Sequence, residues 1–70
     1  MSNVHQLYSR EDVDTFLARV GPRSSAEIAN RYAVTIEAIL PLLMLMQWLG
    51  IVDSEPITTA DGVEHVWMAF

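Results

Sequence analysis

The chain contains no lysine and no cysteine, and both absences limit its function. Without cysteine it has no disulfide, no thiolate metal site and no cysteine nucleophile. Without lysine, its only permanent cations are four arginines, which face nine aspartates and glutamates and leave a net charge of −5. Because DNA affinity depends on clustered cations that release counterions from phosphates, this balance argues against nucleic-acid binding. It does not forbid such binding, since charge can segregate on one face.

Long hydrophobic runs are also absent. The longest uninterrupted apolar stretch, Ala38 to Met46, has nine residues, whereas a membrane span needs about 20. The N-terminus lacks the basic start and apolar core of a signal peptide, so we expect a soluble, cytoplasmic protein. With 70 residues, of which 51% are hydrophobic, the buried core is marginal, and oligomerisation or a bound partner often supplies the remaining stability.

No group of side chains has the pattern of an active site. His5 and His65 are the only histidines, and a closed zinc site would need two further carboxylates brought beside them. Ser24 and Ser25 have no base held nearby by a recognisable motif, so capping and turn roles explain them better. The three glycines form no phosphate-binding loop. We therefore predict no enzyme activity, metal, cofactor or small-molecule substrate.

Apolar spacing and capping residues predict a short N-terminal arm at residues 1–8 and a single domain at residues 9–70. Three helices are expected in that domain: Arg10–Val20, Ser25–Tyr32, and a third that begins after Thr35, continues to about Leu49 and stops at Gly50. Each begins after a residue that favours the N-cap, and Ser24 with Glu27 has the spacing of a capping box.

Pro41 is unusual inside the third helix, because it removes a hydrogen bond and clashes with a backbone carbonyl. We expect either a kink there or a regular helix that starts closer to Leu40.

The remaining residues predict a terminal β-hairpin. Ile51-Val52-Asp53 has the composition of a strand start, and Pro56 limits that strand to an edge or a break. Asp61-Gly62 is a tight-turn dipeptide. Residues 63–70 are rich in residues that favour strands and are expected to return beside the first strand.

The spacing of these elements resembles the core of bacterial winged helix-turn-helix regulators. The matching residues are Ile28-Ala29, Ala33-Val34-Thr35, Ile39, Leu43, Met46 and Gly50-Ile51-Val52. The resemblance implies a mainly α fold of three helices with a small C-terminal β-hairpin, the wing. In that family the outward residues of the third helix enter the major groove and contact bases, but a fold does not by itself determine a function.

The third helix departs from the family on the side that would meet DNA. On a helical wheel, Ile39, Leu43 and Met46 cluster on one side, which must face the core. The opposite side and its flank, hereafter the outer face, carry the predicted partner-binding residues: Glu37, Leu40, Pro41, Met44, Leu45 and Trp48. None offers the bidentate contact by which arginine or asparagine recognises a base. We therefore predict that this face contacts protein, as a homodimer or by docking on a larger complex.

Three alternatives to this interpretation stay open. The N-terminal arm, through Val4, Leu7 and Tyr8, or the wing could cover the outer face. The protein could also be a structural subunit whose methionine-rich helix nucleates assembly.

The chain could otherwise be a DNA-binding transcriptional regulator whose wing, second helix or arm contacts phosphates. In that case Arg23 and Arg31 are the candidate DNA-binding residues, although Arg31 is expected to pair with Glu27 one turn earlier in its helix. For the protein-contact interpretation, the larger complex could be a transcription or defence complex, by analogy with the very short acidic regulators that are frequent in phages and mobile elements.

Overall fold

A computed structural model describes residues 9–70 of the chain; the predicted arm at residues 1–8 lies outside them. Helices and strands follow one another along these residues without a long connection. In chain order they are α1 (Arg10–Val20), β1 (Arg23–Ser24), α2 (Ser25–Arg31), α3 (Ile36–Trp48), β2 (Val52–Thr59) and β3 (Gly62–Ala69). Three helices and a three-stranded antiparallel sheet are thus present, an order that is compatible with a winged-helix layout.

The first two helices begin at capping boxes. The Ser9 hydroxyl accepts from the backbone N–H of Asp12, whose carboxylate accepts in return from the Ser9 backbone N–H, at 3.3 and 3.1 Å. Ser24 and Glu27 form the same reciprocal pair at 3.1 and 2.9 Å. Four helix-end donors that would otherwise be unpaired are satisfied in this way. The predicted bounds of α1 are confirmed, and α2 ends one residue earlier than expected.

The third helix runs without interruption through its proline. The Thr35 hydroxyl accepts from the Ala38 backbone N–H at 3.2 Å, so the helix begins at Ile36 as an ordinary capped end. Pro41 lies inside it. The expectation of a start nearer Leu40 is therefore wrong, because the cap at Thr35 holds the first turn despite the missing hydrogen bond. A kink at Pro41 stays a prediction.

Both α2 and α3 end in the same backbone motif with different residues. After α3, Gly50 has φ 79°, and the N–H groups of Gly50 and Ile51 donate to carbonyls of the last turn at 3.0 and 2.9 Å. After α2, Ala33 has φ 57°, and the N–H groups of Ala33 and Val34 donate in the same way at 3.2 and 3.0 Å. These bonds define the Schellman motif, whose left-handed residue is normally glycine. Ala33 therefore carries a steric cost that Gly50 does not.

The sheet has the strand order β1-β3-β2, and both pairs are antiparallel. The predicted hairpin is present, with Val52 paired to Ala69 and Thr59 paired to Gly62 across a two-residue turn. β2, which contains Pro56, is an edge strand, as the proline required. β1 was not predicted, because two residues carry no periodic signal; it pairs Arg23 with Trp67 and so joins the hairpin to the helices.

The core lies between the three helices and the inner side of the sheet. Its fully buried side chains are Val13, Leu17, Ile28, Ala29, Ile39, Leu43, Met46, Val52 and Trp67. Trp67 is 3% exposed, and its indole N–H donates to the Ser25 hydroxyl at 2.7 Å in the interior. Side chains alternate between the two faces of a strand, and the face of β3 that carries Trp67 and Ala69 turns inward.

The two Schellman motifs generate a stability prediction. Ala33→Gly removes the left-handed strain of an alanine and should raise the free energy of unfolding by about 0.5–1 kcal/mol, after the greater entropy of glycine in the unfolded chain is subtracted. The matched control, Gly50→Ala, should lower it by about 1 kcal/mol, since a Cβ there meets nothing within 4 Å and only the φ angle is penalised. Urea unfolding followed by circular dichroism measures both, and a destabilised Ala33→Gly would contradict the argument.

Candidate protein-contact face

The outer face of α3 is exposed along three turns of the helix. Trp48 is 82% exposed, Met44 60% and Leu45 44%, and Glu37 and Pro41 are exposed beside them. Leu40 is half-buried and packs against the core at the edge of this face. The structure thus brings the six predicted partner-binding residues onto one continuous surface.

The opposite side of α3 supplies the centre of the core. Ile39, Leu43 and Met46 have no exposed surface. Their spacing follows the helical repeat, so the helix directs one apolar stripe inward and a second outward. A helix that is apolar on both sides is usually buried all round. Within residues 9–70, however, only the inner side of α3 is buried.

The sequence did not identify the full width of the exposed apolar surface. Ile36 and Leu49 are 39% and 43% exposed. Both lie between the inner and outer faces on the helical wheel of α3, where the angular position of a residue does not show whether it is buried or exposed. Val63 and Phe70 are also exposed, on the hairpin and at the C-terminus, and β-alternation did not assign them to solvent.

The polar chemistry of the outer face is concentrated at its two ends. Glu37, in the first turn of α3, is its single ionisable group. Pro41 has no backbone N–H, so the α-helical hydrogen bond that would end on the carbonyl of Glu37 is missing. At the other end lies Trp48, which carries an indole N–H and is 82% exposed. The middle of the face is apolar, which suits the depletion of charge at the centre of protein interfaces.

The two arginines expected as DNA contacts point to other partners. A guanidinium N–H of Arg23 donates to the backbone carbonyl of Pro22 at 2.7 Å. The guanidinium of Arg31 lies 5.5 Å from the ring centroids of both Phe16 and Tyr32. Such stacking is a cation–π interaction. The expected pair between Arg31 and Glu27 is thus wrong, because the glutamate caps α2 and the nearby aromatic rings hold the arginine.

An open groove lies between α1 and the end of α2. Its volume is about 510 Å³, and it is lined by Asp12, Thr15, Phe16, Arg19, Arg31, Tyr32 and Ala33. The Phe16 and Tyr32 rings meet edge to face at 6.1 Å between centroids. Burial raises the pKa of the Tyr32 phenol, an effect that Arg31 opposes and Asp12 reinforces.

The wing is acidic on its outward side. Asp53 and Glu55 alternate onto that side of β2, and Glu64 on β3 is paired with Ile57 of the same side. No arginine or lysine follows Arg31 in the sequence. A wing of this charge repels phosphates rather than attracting them.

The histidines form no cluster with other ligands within the described part of the chain. The ring of His65 lies 6.2 Å from that of Trp67, tilted by 40°. Residues 9–70 bring together no group of three histidine, aspartate or glutamate side chains that could hold a metal ion. His5 lies outside these residues.

Comparisons with protein-family models, with curated proteins and with solved structures found no match to this chain. Within residues 9–70, no single helix has both the length and the apolar composition to cross a membrane; α2 and α3 reach them only as a pair bent by 110°.

Adjacent residues on the two sides of α3 provide a direct test of its exposure. Met44→Glu places a charge in solvent and should leave the native spectrum and cooperative unfolding intact, because surface substitutions rarely change stability by more than about 0.5 kcal/mol. Leu43→Glu places the same charge in the core and should prevent folding. Circular dichroism at low micromolar concentration distinguishes them, and unfolding of Met44→Glu would show that the outer face is part of the core.

Proposed function

We propose that this protein is a small regulatory winged-helix module that acts through protein–protein contacts made by the outer face of α3. The partner surface covers the side of the helix that DNA-binding relatives of the fold would present to a duplex. The observation that carries the proposal is the exposure of Trp48, Met44 and Leu45 on a helix whose other side already fills the core.

The size of this apolar surface supports a protein partner. Its exposed apolar area is on the order of 500 Å², which at about 25 cal/mol per Å² would favour association by roughly 12 kcal/mol if fully buried, before ordering costs are subtracted. Tryptophan and methionine are also enriched at the centre of interfaces. A residue such as Trp48, flat and rigid and mostly exposed, is the type that contributes most to binding when it enters a pocket.

The distribution of charge weighs against the alternative of a DNA-binding regulator. The outer face has no base-reading side chain, and the wing carries carboxylates where phosphates would lie. Arg23 and Arg31 are held by a carbonyl and by aromatic rings, and Arg19 shares the groove with Asp12. The charges of the described residues therefore favour protein over nucleic acid as the partner.

Site-specific photo-crosslinking in the native host tests the proposal. A photoreactive phenylalanine analogue in place of Met44 should form covalent adducts with protein, because that side chain lies at the centre of the outer face. The matched control carries the same analogue at Thr58, which is exposed on the wing. The adduct mass then identifies the partner as a second copy or as another chain. Equal and weak labelling from both positions would refute the proposed function.

Binding to a random DNA duplex at low salt tests the alternative. We expect no tight, salt-dependent binding, since the exposed acids of the wing oppose it and released counterions would be few. Fluorescence anisotropy of a labelled duplex measures this. Tight binding that weakens with salt and is lost in Arg23→Ala or Arg31→Ala would instead favour the DNA-binding regulator.

A further inference from the structure

The central line of the outer face has a symmetric spacing. Glu37, Pro41, Met44 and Trp48 follow one another at intervals of four, three and four residues. These intervals read the same in both directions along the helix. The midpoint lies between Leu42 and Leu43, which are half-buried and buried and so do not interrupt the line.

A symmetric line of this kind is complementary to itself when two helices pack antiparallel. A two-fold axis at the midpoint sets Pro41 of one copy beside Met44 of the other, and Glu37 beside Trp48. The same alternation of four- and three-residue steps forms the seam of coiled coils, in which each side chain enters a gap on the facing helix. The line of Glu37, Pro41, Met44 and Trp48 is hereafter called the seam. Leu40 borders it on one edge and Leu45 on the other.

We propose that the outer face binds a second copy of this chain, with the two α3 helices antiparallel about that midpoint. This inference rests on the proposed function and names its partner. The regulatory unit is then a symmetric dimer, whose two acidic wings remain outside the seam.

The ends of the seam match in hydrogen-bonding chemistry. The carbonyl of Glu37 lacks the helical donor that Pro41 cannot provide. Trp48, which is 82% exposed in a single copy and carries an indole N–H, is set beside that residue of the second copy at each end of the pair. Donor and acceptor thus meet twice, once at each end, and a tryptophan buried in an interface usually finds such a partner.

Area and charge favour the same arrangement. Two outer faces together bury about 1,000 Å², which just meets the area expected of a biological interface and corresponds to a weak dimer. A parallel pair would set Glu37 directly against its own copy, whereas the antiparallel pair separates the two glutamates by roughly 16 Å along the helix. The seam is otherwise uncharged, so the net charge of −5 per copy does not act at its centre.

Charge substitutions at the ends of the seam test both the dimer and its direction. Trp48→Glu opposes a glutamate to Glu37 of the second copy and should weaken dimerisation roughly 30-fold or more. Trp48→Arg also removes the tryptophan but gains an opposite charge, so it should dimerise about tenfold more tightly than Trp48→Glu and lose that advantage at high salt. The double variant Glu37→Arg, Trp48→Glu again sets opposite charges against each other, so it should also dimerise about tenfold more tightly than Trp48→Glu alone.

Sedimentation equilibrium or light scattering of the full chain at tens of micromolar measures these constants. Circular dichroism controls for folding, which these exposed positions should leave unchanged. A dimer that Trp48→Glu leaves intact would overturn the use of this face. Equal weakening by Trp48→Glu and Trp48→Arg, with no recovery in the double variant, would overturn the antiparallel direction.

A wild-type chain that stays monomeric at these concentrations would overturn the second copy as partner. Crosslinking from the Met44 position separates this result from failure of the proposed function. Adducts with a different protein would leave the protein-contact function standing without the dimer. Weak labelling from the Met44 position, equal to that from Thr58, would refute both the protein-contact function and the dimer.

Discussion

The hydrogen bond from the Trp67 indole to the Ser25 hydroxyl ties the two halves of this small fold together. It joins the last strand to the start of α2 in the interior, across 42 residues of sequence. Both groups are almost fully buried, so losing either partner would leave the other unsatisfied at a cost of about 1–3 kcal/mol. This bond, with the short β1 ladder beside it, fixes which side of the hairpin faces the helices. α3 then completes the core from a single side.

The outer face follows from that arrangement. Residues 9–70 enclose the inner stripe of α3 and place no further layer over its other side. Met44 and Trp48 stay exposed even though they belong to a strongly apolar helix. Neighbouring residues of one helix therefore have opposite environments: Leu43 is fully buried in the core, while Met44 is 60% exposed.

The parts of the structure that could be predicted from sequence are those governed by local chemistry. Capping residues such as Ser9 and Thr35 fixed helix starts, and Gly50 and Pro56 fixed a helix stop and an edge strand, because their effects act within a few residues. Strand β1 and the Trp67–Ser25 bond depend on distant pairing and left no periodic signal. The stacking of Arg31 was missed for a related reason: the sequence places Glu27 one turn away, but only the fold brings Phe16 beside the guanidinium.

The edges of the sheet determine how far any association can extend. A free strand edge invites further strands and open-ended, fibrous growth. Here one edge is the two-residue β1, which pairs only with Val66 and Trp67 of β3. The other edge is β2, where Pro56 lacks a backbone N–H and the carboxylates of Asp53 and Glu55 disfavour pairing with a further strand. Although the molecule exposes much apolar surface on α3, the proline and the carboxylates therefore disfavour its polymerisation through the β2 edge of the sheet.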